Sequence, residues 1–129
     1  VFASGLPIVA IGLDATHQVR TTPARMARLE ALGSARARAT SALLRFSESV
    51  ERSLADRDGA PLHDPAIIAH LLAPDLFEAT PAHIEVETAS PLTRGHTAVE
   101  FRLQAPSATR WAISVDADGM FDLLTRRLA

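Results

Sequence analysis

The chain is organised around the stretch Gly59-Ala60-Pro61-Leu62-His63-Asp64-Pro65-Ala66-Ile67-Ile68-Ala69-His70-Leu71-Leu72, in which a loop meets the start of a helix. Asp64 followed by Pro65 is typical of a helix N-cap and a first helical residue, because Asp accepts free backbone N–H groups and Pro has none to leave unpaired. An apolar helix face then follows at helical spacing, formed by Ile67, Ile68, Leu71 and Leu72. On this evidence alone, Asp64 is predicted to be a helix cap worth about 1 kcal/mol, and His63 a loop residue.

The strand pattern upstream of this stretch indicates an α/β fold. Residues 6–13 are apolar apart from Pro7 and Gly12, which is typical of a strand covered on both faces in a parallel sheet. Such a strand needs parallel neighbours, and no second run of this kind follows, so we expect part of the sheet to lie outside the chain. The start has no Met, and its first turn ends on Gly5, which suggests the end of a helix cut from something longer.

Two helices are predicted between this strand and the central stretch. Residues 14–22 are predicted to be a polar loop, and residues 23–32 a helix capped by Thr22 and closed by Gly33. A longer helix, capped by Ser34, is predicted to run to about residue 55. Its buried stripe is expected to comprise Ala39, Leu43, Phe46, Val50 and Leu54. Residues 56–61 are predicted to be a mobile loop.

The last third of the chain is predicted to be rich in strands. Apolar and polar residues alternate in three segments, residues 84–88, 98–103 and 111–116, which indicates three half-buried strands. Turn-rich segments separate them, so we expect an antiparallel meander. A short final helix is predicted around residues 121–128, and Asp116 and Asp118 are expected to mark the strand end and the helix cap.

Composition excludes several classes of function. At 129 residues, the chain is one domain or part of one. A net charge of −2, from 13 basic and 15 acidic residues, gives no electrostatic reason to expect nucleic acid or an anionic membrane. The absence of Cys excludes disulfides and thiolate metal sites. No apolar run approaches the ~20 residues of a membrane span, and no signal peptide is visible, so we expect a cytoplasmic protein.

Two further stretches flank the central one: Leu6-Pro7-Ile8-Val9-Ala10-Ile11-Gly12-Leu13-Asp14-Ala15-Thr16-His17-Gln18, and Pro81-Ala82-His83-Ile84-Glu85-Val86-Glu87-Thr88 followed by Leu92-Thr93-Arg94-Gly95. Together the three stretches resemble the inosine-uridine preferring nucleoside hydrolase family, in the family's order. The resemblance implies that residues 1–129 are the C-terminal portion of a single nucleoside hydrolase domain. The implied fold is part of a Rossmann-type α/β fold, with one buried strand plus helices, an antiparallel strand meander and a C-terminal helix.

The resemblance also implies a reaction and roles for two residues. The reaction is the calcium-dependent hydrolysis of the N-glycosidic bond of a ribonucleoside to free base and ribose, in nucleoside metabolism such as purine salvage. By position, His63 resembles the general acid that serves the leaving base, a role suited to an imidazole. Asp64 resembles a calcium ligand, and it could also cap the helix. No substrate-binding residue is assigned by position.

The sequence lacks most of the metal site that this resemblance implies. The family's N-terminal motif D-x-D-x-x-x-D-D is not reproduced by any of the isolated carboxylates Asp14, Asp56, Asp58, Asp75, Asp116 and Asp118. Calcium takes 6–8 oxygen ligands, so a single carboxylate cannot hold it. We therefore expect the chain to be inactive alone, and either to pair with a missing N-terminal portion or to form a homo-oligomer.

Other interpretations remain open. His17, after the first strand, is a candidate pocket residue, whereas His70 is expected to be structural or exposed, and His83 and His96 to lie at the surface. A different class of function is a non-catalytic interaction or regulatory module, since an unfilled sheet edge tends to pair with another chain. A zinc hydrolase is disfavoured, because the spacing of His63 and His70 does not match the i, i+4 spacing of two ligands on one helix face.

Overall fold

The computed structural model describes residues 1–54 and 59–129, so residues 56–58 of the loop predicted at residues 56–61 lie outside the described residues. The strands are β1 (Ile8–Ala10), β2 (Phe77–Pro81), β3 (His83–Val86), β4 (Thr97–Glu100) and β5 (Thr109–Val115). The helices are α1 (Leu13–Thr16), α2 (Pro23–Glu30), α3 (Ala35–Leu54), α4 (Pro65–Leu72) and α5 (Ala117–Leu128). The predicted α/β class is therefore confirmed, although α1 occupies part of a predicted loop and β2 was not predicted.

β5 is the central strand of the main sheet, whose order is β1-β5-β2. β1 pairs with β5 in parallel, with Ile8 opposite Thr109. β2 pairs with β5 antiparallel, with Phe77 opposite Val115, and a bulge interrupts the register within β2. The expectation that β1 has no parallel neighbour within the chain is therefore wrong, because β5 fills that position.

β3 and β4 form a separate antiparallel pair, in which Ile84 lies opposite Val99. β5 belongs to the main sheet, so the predicted three-stranded meander is wrong: of its three strands, only β3 and β4 pair with each other in the described ranges. The alternation of apolar and polar residues identified each strand, but this signal carries no information about which strand lies beside it.

β1 is shorter and less buried than predicted. It lies at an edge of the sheet within residues 1–54 and 59–129, and it contains three residues. Val9 within it and Leu6 just before it are exposed. The strand that was predicted to be covered on both faces therefore has apolar side chains that no described residue covers.

Most helix starts follow the predicted caps. Thr22, Ser34 and Asp116 each accept a backbone N–H from the residue three positions later, at 3.4, 3.0 and 3.0 Å. Pro65 is the first residue of α4, as predicted. However, the predicted cap at Asp64 is wrong, because this residue has helical dihedral angles (φ −63°, ψ −39°) in place of the extended ones of an N-cap, and its side chain makes no capping hydrogen bond.

α3 buries a different face from the one predicted. Ala37 and Ser41 are buried, and the helix packs against α2 and α5. Four members of the predicted buried stripe are instead exposed: Leu43 and Phe46 have relative exposures of 69% and 70%, and Ala39 and Val50 are also exposed. The fifth member, Leu54, has a side chain that lies outside the described part of the structure. Helical periodicity identified an apolar face, but the side that packs against α2 and α5 is the side with smaller residues.

α4 likewise buries its small residues and exposes its large apolar ones. Its buried positions are Ala66 and Ala69, whereas its four large apolar side chains are exposed: Ile67, Ile68, Leu71 and Leu72. Two apolar helix faces are thus without a covering layer among the described residues.

The core lies between the main sheet and helices α1, α4 and α5. Its buried apolar members are Ala15, Val19, Leu62, Ala66, Ala69, Phe77, Ala112, Val115, Met120 and Phe121. α5 contributes the two largest helical side chains of this core and spans 12 residues, more than the short final helix that was predicted. Within residues 1–54 and 59–129, no helix combines the length and apolar character needed to cross a membrane.

Candidate active site

His63 follows a short extended segment, residues 59–62, that runs antiparallel to residues 19–21. The N–H of Leu62 donates to the carbonyl of Val19 at 2.8 Å, and the N–H of Thr21 donates to the carbonyl of Ala60 at 2.9 Å. These hydrogen bonds fix the backbone directly before His63. The imidazole therefore follows a hydrogen-bonded backbone segment, which is called the ladder below.

Thr21 and Gly59 set the register of this ladder. The buried Thr21 hydroxyl accepts the N–H of Ala60 at 2.8 Å and donates to the Ala60 carbonyl at 3.2 Å. Gly59 has φ +74°, and a Cβ on it would lie 2.4 Å from the carbonyl oxygen of Thr21. Both the positive φ and this close approach require glycine. Gly59 therefore fixes how residues 59–62 are aligned with residues 19–21, and so where His63 is placed.

The ring of His63 contacts the end of α1. Thr16 Oγ1 lies 2.9 Å from His63 Nδ1, and Thr16 itself is buried. Nε2 has no hydrogen-bond partner among the described residues, so this nitrogen is available to a ligand. The exposed ring of His17 has its centroid 5.5 Å from that of His63. His17 therefore lies beside the predicted site residue.

α1 is attached to β5 by two side chains. Asp14 Oδ2 accepts the indole N–H of Trp111 at 2.9 Å. The Gln18 amide donates to the carbonyls of Asp14 and Ile113, at 2.7 and 3.1 Å, and accepts the N–H of Val115 at 3.2 Å. β1 ends after pairing with residues 109–111, and Gln18 then continues the hydrogen bonding of β5 beyond that point.

Trp111 forms one wall of a cavity of about 500 Å³. Its indole ring rests on Gly12, where a Cβ would come within 2.2 Å of Cζ2. The cavity is also lined by Ile11, Leu13, Asp14, Thr16, His63, Asp64, Ile67 and Thr97. The two residues singled out in the sequence, His63 and Asp64, thus open onto one cavity together with a second carboxylate, that of Asp14.

A second, smaller cavity of about 270 Å³ also borders His63. It is formed with the C-terminal half of α3 and is lined by Phe46, Ser47, Val50, Glu51, Ala60 and Pro61. Among the described lining residues, only His63 is common to both cavities. A ligand in either cavity can therefore reach the imidazole.

The described residues supply part of a metal site. The exposed carboxylate of Asp64 makes no capping hydrogen bond and is the kind of oxygen donor that calcium prefers. Asp14 lines the same cavity, but its Oδ2 accepts the Trp111 N–H. In residues 1–54 and 59–129, no group of three or more His, Cys, Asp or Glu side chains is placed to hold a metal ion. Because calcium takes 6–8 ligands, Asp64 fits as one ligand of a larger set.

The other three histidines lie away from both cavities, as expected. The His70 ring packs edge-on against Phe77, with centroids 5.3 Å apart. His83 pairs with Glu85 at 2.8 Å on the exposed side of β3, and His96 is exposed.

Comparison with known proteins identifies the family to which the chain belongs. The family model described as inosine-uridine preferring nucleoside hydrolase matches residues 1–122. The pyrimidine-specific ribonucleoside hydrolase RihA of Enterobacter sp. (strain 638) is 40% identical over 134 residues, which is 100% of this chain and 42% of that protein. An uncharacterised protein of Schizosaccharomyces pombe is 36% identical over 130 residues, with coverages of 99% and 42%.

Solved structures agree with this assignment and confirm the predicted fold class. A purine-preferring ribonucleoside hydrolase from Gardnerella vaginalis superposes with a TM-score of 0.84 at 28% identity, covering 98% of this chain and 41% of the other. A plant nucleoside hydrolase, PpNRh1, gives a TM-score of 0.85 at 25% identity, with coverages of 98% and 42%. The chain spans less than half the length of each of these proteins. It belongs to the inosine-uridine preferring nucleoside hydrolase family.

Proposed function

We propose that this chain contributes to the active site of a ribonucleoside hydrolase, which uses water to split a ribonucleoside into free base and ribose. The observation that carries this proposal is the position of His63 and Asp64, side by side at the start of α4 and open to one cavity. Relatives are named for pyrimidine-specific and for purine-preferring hydrolysis, so both kinds of base belong in the test.

His63 is proposed to be the general acid. As the N-glycosidic bond breaks, the departing base gains negative charge and needs a proton. An imidazole supplies such a proton near neutral pH. Nδ1 of His63 is engaged by Thr16, and Nε2 is the ring nitrogen without a described partner. The proton would therefore leave from Nε2.

Asp64 is proposed to be one ligand of a calcium ion. When bound, the ion would hold the sugar hydroxyls and the attacking water. The free carboxylate of Asp64 supports this role, and the remaining ligands would come from outside the described residues, since these contain no set of three suitable side chains. In this arrangement, the general acid and one metal ligand are consecutive residues, His63 and Asp64.

The chain is proposed to be inactive alone, to be completed by an N-terminal portion and to self-associate, in the cytoplasm. The exposed apolar side chains of α3 and α4 support such a partner, because large apolar groups left open on a protein surface mark interaction sites. The match to 41–42% of the length of the related proteins supports it further.

The test is ribose release from inosine and from uridine, with calcium or with a chelator. The chain is assayed alone and after co-expression with the unmatched N-terminal portion of the Enterobacter hydrolase. We expect no turnover by the chain alone, and calcium-dependent turnover by the pair. His63→Ala should abolish this turnover, whereas His96→Ala, which changes an exposed histidine outside both cavities, should not.

Two outcomes would contradict parts of this proposal. Turnover by the chain alone would show that the incomplete metal site is sufficient, or is completed by a second copy. Turnover that survives His63→Ala would remove the general acid from this position.

A second candidate function is a non-catalytic interaction module. It is favoured by the partial ligand set and by the uncovered apolar faces. Stable pairing with the N-terminal portion, without turnover of either nucleoside, would support this candidate.

A further inference from the structure

Thr16 and His63 are 47 positions apart, and a single contact of 2.9 Å joins the Thr16 hydroxyl to Nδ1 of the imidazole. We propose that Thr16 is a positioning residue, which donates its hydroxyl proton to Nδ1 and thereby keeps the proton of the neutral ring on Nε2. The importance of this arrangement for the reaction rests on the proposed role of His63. The arrangement itself is a property of the chain and can be measured without activity.

The direction of the hydrogen bond follows from the surroundings of Thr16. Its relative exposure is 4%, although it also lines the cavity of about 500 Å³, so its hydroxyl is mostly surrounded by protein. A hydroxyl carries one proton, and a buried hydroxyl proton needs an acceptor. Among the described residues, His63 Nδ1 is the hydrogen-bond partner of Oγ1. If Nδ1 carried the ring proton, the hydroxyl proton would have no acceptor among the described residues, so donation from Thr16 satisfies both groups within the protein.

The consequence is a defined tautomer and a defined ring orientation. A neutral imidazole has one N–H, and which nitrogen carries it is set by the hydrogen bond that the other nitrogen makes. With Nδ1 accepting from Thr16, the N–H lies on Nε2. When the ring gains a second proton, the same hydroxyl can rotate and accept from Nδ1–H, and its own proton can then turn towards water in the cavity that Thr16 lines. Thr16 can therefore hold the ring in place in both states.

The hydroxyl is itself held by the attachment of α1 to β5. The backbone N–H of Thr16 donates to the Gly12 carbonyl at 3.1 Å. Asp14 and Gln18, on either side of Thr16, are bound to Trp111 and to the backbone of β5. The position of the hydroxyl relative to His63 is thus set by the main sheet.

The experiment is ¹⁵N NMR of the imidazole nitrogens in the full chain, in mildly alkaline buffer where an imidazole is neutral. The His63 signals are assigned by their loss in His63→Ala. In the unmodified chain, we expect Nε2–H to dominate. Thr16→Val removes the hydroxyl but keeps the branched shape, and should raise the ratio of Nδ1–H to Nε2–H about fivefold, the factor that one hydrogen bond of ordinary net strength supplies. Thr16→Ser should restore the original ratio.

The matched control is Thr125→Val, which removes another buried hydroxyl, one that donates to the Asp122 carbonyl within α5. It should leave the His63 signals unchanged. A dominant Nδ1–H form in the unmodified chain would overturn the proposal without any variant. An unchanged ratio in a folded Thr16→Val chain would overturn it as well.

The activity of the chain paired with the N-terminal portion, called the completed enzyme here, provides a second test. Thr16→Val should lower kcat about fivefold and leave KM little changed, and Thr16→Ser should recover most of the rate. If the completed enzyme has no activity, the proposed function fails, while the NMR result still decides the role of Thr16.

Discussion

The indole N–H of Trp111 donates to Oδ2 of Asp14 at 2.9 Å, across 97 positions of sequence. This hydrogen bond joins β5 to α1, and α1 carries Thr16, the partner of the His63 ring. A contact outside the proposed acid and metal ligand therefore supports the position of the His63 ring.

Asp14→Ala should reduce the free energy of unfolding by about 1 kcal/mol. Hydrogen bonds to a charged group contribute about 1.5–3 kcal/mol, and the exposure of Asp14 reduces that value. The measurement is urea unfolding followed by circular dichroism. Asp75→Ala, which removes an exposed carboxylate, should change stability by less than about 0.5 kcal/mol. Equal losses in the two variants would show that the Trp111 contact contributes nothing.

Gly12→Ala should cost about 1–3 kcal/mol, as expected for overpacking. Gly12 has dihedral angles of −88° and −175°, which alanine also adopts, so the cost comes from the overlap with the Trp111 ring. Emission from Trp111, the single tryptophan, should change at the same time. In a Trp111→Leu background the smaller side chain relieves the overlap, and the same substitution should cost less. Identical costs in the two backgrounds would rule out the overlap as the cause.

Gly59→Ala should be more destabilising than Gly95→Ala by at least about 1 kcal/mol. Both glycines have positive φ, +74° and +89°, so both substitutions introduce backbone strain. Only Gly59 also approaches the Thr21 carbonyl, whereas a Cβ on Gly95 would meet open space. Urea unfolding gives the difference, and hydrogen exchange of the Leu62 amide reports on the ladder before His63. Comparable destabilisation by the two variants would argue against a register fixed by close approach.

Acid should weaken the link between α2 and α5. A hydrogen bond from Arg28 lowers the pKa of the Asp122 carboxyl below its ordinary value. Because this bond is absent in the unfolded chain, its stabilising effect is present above the ordinary Asp pKa of about 3.9 and is lost as pH falls through the lowered folded pKa. The Tm difference between the unmodified chain and Arg28→Gln should therefore be present at about pH 7 and decrease as the pH falls below the ordinary Asp pKa of about 3.9.

NMR titration of the Asp122 carboxyl tests the cause directly. Arg28→Gln should raise the pKa of Asp122 towards its ordinary value, since it removes the hydrogen-bond donor that contributes most to the lowering of this pKa. Arg94→Gln, on the turn between β3 and β4, should leave it unchanged. An ordinary Asp122 pKa in the unmodified chain would contradict this account.

Features with local causes were predictable from sequence. The helix starts follow Thr22, Ser34 and Asp116, whose side chains act on N–H groups three residues away. Strand neighbours were not predictable, because alternation in β5 reveals neither β1 nor β2 as its partner. β2 itself ends on Pro81, and proline in a strand indicates an edge position, which is where β2 lies. The apolar stripe of α3 was visible, but its burial depends on which residues cover it.

The candidate site was predictable to a similar extent. His63 and Asp64 were singled out by one continuous stretch and its resemblance to a family motif, and the structure brings both to one cavity. The cap at Asp64 failed because the backbone there is already helical. Thr16 and Trp111 were assigned no role, since their contacts join positions 47 and 97 residues apart and leave no periodic signal. Two indications pointed to this turn: the resemblance of residues 6–18 to the family, and the position of His17 after the first strand.

The position of β5 at the centre of the main sheet has a consequence for folding during synthesis. A ribosome makes the His63 segment well before β5, yet β5 pairs with β1 and anchors α1. Residues near the start of the chain therefore cannot form their native contacts until β5 has been synthesised. Closing so long a loop also slows folding relative to a chain with local contacts. Until residue 115 has left the exit tunnel, β1 has no paired strand and the core around Ala66 and Ala69 lacks Ala112 and Val115, and apolar surface exposed in this way is prone to aggregation.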